Sequence, residues 1–151
     1  MDIQQQIDAD IKSAMLSGDK VTAETLRGIK TALQYEAVSL GVKDTGLNQE
    51  QAQKVLAREA KKRADTAEIY ANANEAERAA KETAEKAIID GYLPAAASEE
   101  DVKAAVDAEI SKLDSPTPAD MGKIIGAVRG QLGPAADGGL IAKLVKEKLA
   151  Q

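Results

Sequence analysis

The chain of 151 residues contains no cysteine, no histidine, no phenylalanine and no tryptophan. Without cysteine there is no disulfide and no thiolate chemistry. Without histidine as well, nearly every zinc site, every Ser-His or Cys-His nucleophile pair and any imidazole acid–base is removed. Carboxylates and lysines alone are left for proton transfer. The inventory therefore speaks against an autonomous enzyme and implies no cofactor and no metal. The only aromatics are Tyr35, Tyr70 and Tyr92. Apolar burial stabilises by roughly 25 cal/mol per Å², and alanine offers little area, so the expected core is close alanine-lined helix packing plugged by Leu, Ile and Val. Few β-branched or aromatic residues fall outside helical patterns, which argues against sheets.

No apolar run approaches the roughly 18 residues of a spanning helix. Residues 1–10, MDIQQQIDAD, lack the charged-then-apolar pattern of a signal peptide. A cytoplasmic location and no membrane partner are expected. The formal net charge of −5 disfavours a general nucleic-acid binder but leaves room for a local basic patch.

What is present is helical periodicity. Ile3, Ile7, Ile11 and Met15 recur every four residues and Gly18 ends that run. Asp19 can cap a second helix, whose stripe is Leu26, Ile29, Leu33, Ala37 and Leu40, closed by Gly41. Residues 42–47 form a polar connector. Asn48 with Gln51 resembles a capping box and opens a long third helix to about Ala71. Its seam is Ala52, Leu56, Ala60, Ala64, Ala67 and Ala71, with Val55 and Ile69 beside it. Residues 72–74, Asn-Ala-Asn, suit a turn, because asparagine favours caps and turns over helix interiors. The fourth helix carries Ala76, Ala80, Ala84, Ala87 and Ile88. The expectation is an antiparallel hairpin of helices three and four; the alternative is one continuous rod through Asn74.

Gly91-Tyr92-Leu93-Pro94 ends the fourth helix and marks a domain boundary, since proline biases the preceding residue away from helix. Ala95, Ala96 and Ala97 lead into Ser98, which with Asp101 forms another capping-box-like start. Val102, Val106, Ile110 and Leu113 face one side of a fifth helix, broken by Asp114-Ser115-Pro116. Thr117 before Pro118 reads as an N-cap with proline in the first helical position. Met121, Ile124, Ile125, Val128 and Leu132 follow at helical spacing, and Gly133-Pro134 stops them. Asp137 caps a last helix bearing Leu140, Ile141, Leu144, Val145 and Leu149. The predicted fold is thus all-α with seven helices: an N-terminal helical domain with a long hairpin over residues 1–94, and a small three-helix domain over 95–151.

Three clusters invite a chemical reading. Lys54, Arg58, Lys61, Lys62 and Arg63 make the strongest local positive charge, and the first four fall near one helical face, so phosphate contact is geometrically possible. The plainer reading is a solvated face, with Glu50–Lys54 and Glu59–Arg63 as i,i+4 pairs. No Phe or Trp interleaves, so base stacking falls to Tyr70 at best. Glycines at 122, 133, 138 and 139 lack the spacing and preceding strand of a phosphate loop and read as packing or helix entry. Glu82, Glu85 and Asp90 lack any histidine partner and read as surface salt pairing. Tyr92 reads as a packing anchor whose hydroxyl finds a partner.

Residues 120–123, Asp-Met-Gly-Lys, followed by an apolar helix body and then Ala136-Asp137-Gly138, resemble the C-terminal signature of the GatB/YqeY family. These are small bacterial proteins similar to the tail of the B subunit of the tRNA-dependent amidotransferase. Thr25-Leu26-Arg27, residues 59–63 (Glu-Ala-Lys-Lys-Arg), Glu82 with Glu85, and Tyr92-Leu93-Pro94 resemble further family motifs in the right order across nearly the whole chain. The resemblance implies a two-part helical protein whose C-terminal part is similar to a tail that contacts tRNA. It also implies that a carbon–nitrogen ligase label, with glutamine as amido donor, would rest on a non-catalytic portion. The family pattern usually places basic residues around the Ala-Asp-Gly turn, whereas Ala135 and Gly139 stand there here.

Three functions stay open: a non-catalytic protein that binds tRNA or a tRNA-dependent amidotransferase or aminoacylation partner, a helical protein–protein adaptor with no RNA contact, and a catalytic amidotransferase component. The first leads and the third is disfavoured by the missing residue types. The RNA-binding candidates are Lys54, Arg58, Lys61, Lys62 and Arg63 on the third helix, and Lys123, Arg129 and Lys143 near the C-terminus. The concentrated third-helix charge is expected to contribute more.

Overall fold

A computed structural model describes residues 1–95, 97–133 and 136–151. The expected helix stop at Pro134, the departure from the family pattern at Ala135 and the linker position Ala96 lie outside the described residues. Among those described there are seven α-helices, one short 3-10 turn and no strand, so the chain is all-α. It divides into two compact units, Met1–Pro94 and Ala95–Gln151.

In the first unit, α1 (Ile3–Ser17) starts at Asp2, whose carboxylate accepts from Gln5 N at 2.8 Å while Gln5 Oε1 accepts from Asp2 N at 3.1 Å. Gly18, at φ 77°, ends it in the left-handed conformation that glycine adopts without a Cβ clash. Asp19 then caps α2 (Lys20–Ser39), accepting from Thr22 N at 3.1 Å. Hydrogen bonding from the Thr22 side chain first, and then from its backbone N–H, holds the Asp19 carboxyl below its ordinary range. Asn48 and Gln51 form the reciprocal box that opens α3 (Gln49–Asn72). Asn74, at φ 60°, is the one non-glycine residue with positive φ among the described residues, and it separates α3 from α4 (Ala76–Asp90). The two helices pack along each other, tied by Arg63 to Glu85 across eleven residues either side of Asn74.

The core of this unit is built from Ile7, Ile11, Leu26, Ile29, Leu33, Val55 and Leu56, with Leu47 of the connector and Ile89 of α4. Only the first half of α3 enters it: Ala52, Val55, Leu56 and Ala60 are buried, and no residue from 61 to 88 is. The far half of the α3–α4 pair is therefore a two-helix arm held by half-buried alanines and charged contacts. The expected alanine seam of α4 is not the inward face. Ala76, Ala80, Ala84 and Ala87 are exposed, and Ala79, Glu82, Lys86 and Ile89 turn inward instead. Ile89 is wholly buried; one large aliphatic side chain in the core outweighs several methyl groups and rotates the helix to suit. Ile69, expected beside the seam of α3, is 66% exposed. In α1, Ala14 is buried where Met15 was expected, and Leu40 lies exposed after α2.

In the second unit, Ser98 and Asp101 form a capping box at the start of α5 (Glu99–Ser111). Thr117 and Asp120 close a box too, but around a 3-10 turn, Pro118–Asp120; the α-helix proper, α6, is Met121–Leu132. Asp137 caps α7 (Gly138–Leu149), accepting from Gly139 N at 2.9 Å. Val102, Val106, Ile124, Val128, Ile141 and Val145 fill the middle of the three helices.

Candidate nucleic-acid interface

Every cation of the α3 cluster has a carboxylate partner. Lys54 Nζ lies 2.6 Å from Glu50, Arg58 2.8 Å from Glu36 of α2, Lys61 3.9 Å from Asp65 and Lys62 3.0 Å from Glu59. Arg63 contacts Glu59 at 3.0 Å and Glu85 of α4 at 3.3 Å, with only 16% of its side chain exposed. Its Nε is close to Glu85 but off the N–H direction, so the attraction there is ionic without a hydrogen bond. Burial pushes the Glu59 carboxyl up, and the hydrogen bonds and charges of Lys62 and Arg63 outweigh it, holding Glu59 below its ordinary range. The hydrogen bond from Lys54, then its charge, does the same for Glu50. Tyr70, the stacking candidate, has the Arg78 guanidinium over its ring at 5.8 Å. Lys54, Arg58, Lys61 and Lys62 are exposed on α3 and Arg63 is half-buried, and each has a carboxylate at ion-pair distance.

The C-terminal candidates differ. Lys123, Arg129 and Lys143 are exposed, and none has a carboxylate at ion-pair distance among the described residues. Residues 121–151 carry five lysines and arginines against two acidic residues, a net of +3; residues 95–120 carry two against seven, a net of −5. The second unit is thus strongly polarised along its sequence. Arg129 lies over Gly138 at the start of α7, where a Cβ would come 3.5 Å from its guanidinium carbon.

The other sites carry structure. Glu85 holds Arg63, and Asp90 pairs with Lys86 at 2.6 Å. Among the described residues no group of three or more Asp, Glu, His or Cys could hold a metal ion. No helix of the described residues is long and apolar enough to cross a membrane. The Tyr92 hydroxyl donates to Asp10 of α1, the partner that an anchored tyrosine requires. Burial first, then Asp10, pushes the Tyr92 phenol well above its ordinary value of 10.0.

Two features were not anticipated. A groove of about 670 Å³ lies beside α2, lined by Gln4, Asp8, Lys30, Tyr35, Val38 and Lys43 among others, with Asp8 and Lys30 paired across it at 2.6 Å. Nothing in the helical stripes marks it, because it arises where α1, α2 and the connector meet. The outward side of α6 carries Gly122, Gly126 and Gly130, all exposed. Their four-residue spacing was a signal available in the sequence.

A family model described as Yqey-like protein matches residues 4–149. No match is found among curated proteins.

Proposed function

Since the chain belongs to the YqeY-like family, which is related to the C-terminal domain of GatB, we propose that it is a non-catalytic protein that binds tRNA, alone or on a tRNA-dependent amidotransferase or aminoacylation enzyme. The observation that carries this reading is that Lys123, Arg129 and Lys143 are exposed and meet no carboxylate among the described residues, although the chain has a net charge of −5 and Lys148 of α7 pairs with Asp107 at 3.3 Å. Unanswered cations on a stable helical surface suit phosphate groups, whose neutralisation releases counterions. Catalysis is left to other proteins, because this chain offers no nucleophile–base pair built on histidine or cysteine. A carbon–nitrogen ligase label would be inherited from relatives.

The test is filter binding of the purified full chain to bulk tRNA across a salt series. Phosphate contacts predict affinity that falls linearly on a log–log plot with a slope of about −0.9 per contact. A protein–protein adaptor with no RNA contact is the second reading, favoured by the answered charge of α3 and by exposed Leu16 and Val21 at the α1–α2 turn. It predicts no salt-dependent tRNA binding at all. Either reading predicts that pure protein neither hydrolyses glutamine or ATP nor amidates aminoacyl-tRNA.

A further inference from the structure

The α1–α2 hairpin turns Ile7, Ile11, Leu26, Ile29 and Leu33 into the first core. Beside that buried stripe an open trough runs along the line where the two helices meet. Its wider part, about 670 Å³, lies where α1, α2 and the connector converge. Its narrower part, about 410 Å³, lies near the α1–α2 turn and is lined by Met15, Lys20, Glu24 and Arg27 among others. Gln4, Asp8 and Lys12 recur every four residues and Met15 follows three on, so one face of α1 joins the two parts. The wall is preformed. Gln4 Nε2 donates to Leu47 O at 3.1 Å and so ties the connector to α1, and Leu47 is itself buried.

Large apolar side chains stand exposed at both ends of the trough. Met15 and Leu16 lie at the turn, the latter 91% exposed, and Tyr35 and Val38 lie toward the connector. Along it the chain places Lys12, Lys20, Arg27, Lys30 and Lys43 against Asp8, Asp19 and Glu24, a net of +2 in a chain of −5. Of these five cations only Lys30 has a carboxylate at ion-pair distance among the described residues, Asp8 at 2.6 Å. Arg27 donates instead to the Met15 sulfur at 3.0 Å, a weak acceptor.

We propose that this trough docks an acidic amphipathic helix of another protein. Shape selects a helix, because a trough between two helices receives a third as a ridge in a groove, and a flat bilayer does not enter it. Chemistry selects a helix with two kinds of side chain. Apolar ones cover Leu16 and Val38, to which a phosphate backbone offers nothing, and carboxylates meet Lys20, Arg27 and Lys43. A second copy of this chain lacks such a face. Its most acidic helix, α5, turns Val102, Ala105 and Val106 into its own core. The inference goes beyond the tRNA reading and does not depend on it.

The probe is a stapled synthetic peptide of about 14 residues, or about 21 Å of helix, with leucine along one face and glutamate beside it. Two sister peptides carry glutamine or lysine in place of glutamate. Each is titrated into the full-length chain by fluorescence anisotropy, and amide shifts of the isotope-labelled protein locate the contact. Wild type is expected to bind the glutamate peptide about tenfold more tightly than the glutamine peptide, as three surface ion pairs allow, and the lysine peptide least. The shifts are expected on α1, α2 and the connector. Lys20→Glu/Arg27→Glu/Lys43→Glu is expected to reverse the order of the three peptides. Leu16→Ser/Val38→Ser is expected to weaken the glutamate peptide about tenfold without changing that order. All five residues are exposed, so the core is untouched; circular dichroism checks the fold. Lys81→Gln on α4 should bind as wild type does. The proposal falls if the glutamate peptide fails to bind at about 1 mM, if charge reversal leaves the order unchanged, or if the shifts lie elsewhere. If bulk tRNA alone shifts the same residues, the trough is a nucleic-acid surface. If the free chain dimerises through them, the occupant is a second copy. Either result overturns the assignment to another protein, and none of these failures alters the filter-binding test of the tRNA reading.

Discussion

The hydroxyl of Tyr92 donates to Asp10 across 82 positions of sequence, and the fold makes that proton hard to remove. A raised phenol favours the neutral form in the folded state. Its contribution is complete below the unfolded tyrosine pKa of about 10 and is lost as pH climbs from there through the folded value. Tyr92→Phe should cost about 1 kcal/mol at neutral pH, and urea unfolding at pH 7 and near pH 11 should show the gap to wild type closing. Thr25 presents the opposite case. It is 4% exposed and its hydroxyl has no partner. Thr25→Val should raise stability by about 1 kcal/mol, since an unsatisfied buried hydroxyl is removed at nearly constant shape. A fall in urea midpoint would reveal a partner for that hydroxyl. The sequence marked Tyr92 as an anchor because a buried tyrosine needs an acceptor, but nothing in it named Asp10 or marked the Thr25 hydroxyl as buried without a partner.

Helix ends were legible because their chemistry is local. The boxes of Asn48 with Gln51 and Ser98 with Asp101, and the caps at Asp19 and Asp137, each join residues two or three apart, and such a contact forms wherever the helix later packs. The rotation of a helix is another matter. Its inward side is chosen by the partner surface, so α4 follows Ile89 and Glu85 and leaves its alanine row in solvent. On α6 the same principle yields a prediction: no neighbour requires glycine at position 126, so Gly126→Ala should stabilise the unit by about 1 kcal/mol. Thermal unfolding measures this. Destabilisation would mean that something packs against that face in the free protein.

Across the whole molecule, two separate cores support the chain. Truncating Ile141, wholly buried in the second, should cost its own unit about 2–5 kcal/mol. Hydrogen exchange should then show protection lost over residues 99–149 and kept over residues 3–90; loss in both would make the two units one cooperative body. The charge of the whole chain misleads at this scale. A net −5 hides the +3 of residues 121–151, and fields act over about 8 Å at physiological salt, so a local surface decides what approaches it.

By itself the sequence determined that the chain is helical, where most helices begin and end, and most of the aliphatic positions buried in α1, α2, α5, α6 and α7. These follow from contacts within a few residues and from a 3.6-residue period. The tertiary structure alone decided which cations meet a counter-charge on another helix. Arg58 reaches Glu36 and Arg63 reaches Glu85 on neighbouring helices, whereas Lys123 and Arg129 reach no carboxylate among the described residues. A one-dimensional count ranks the α3 cluster first, because it sees concentration. Packing adds what that count omits, the counter-charges that neighbouring helices bring to Arg58 and Arg63.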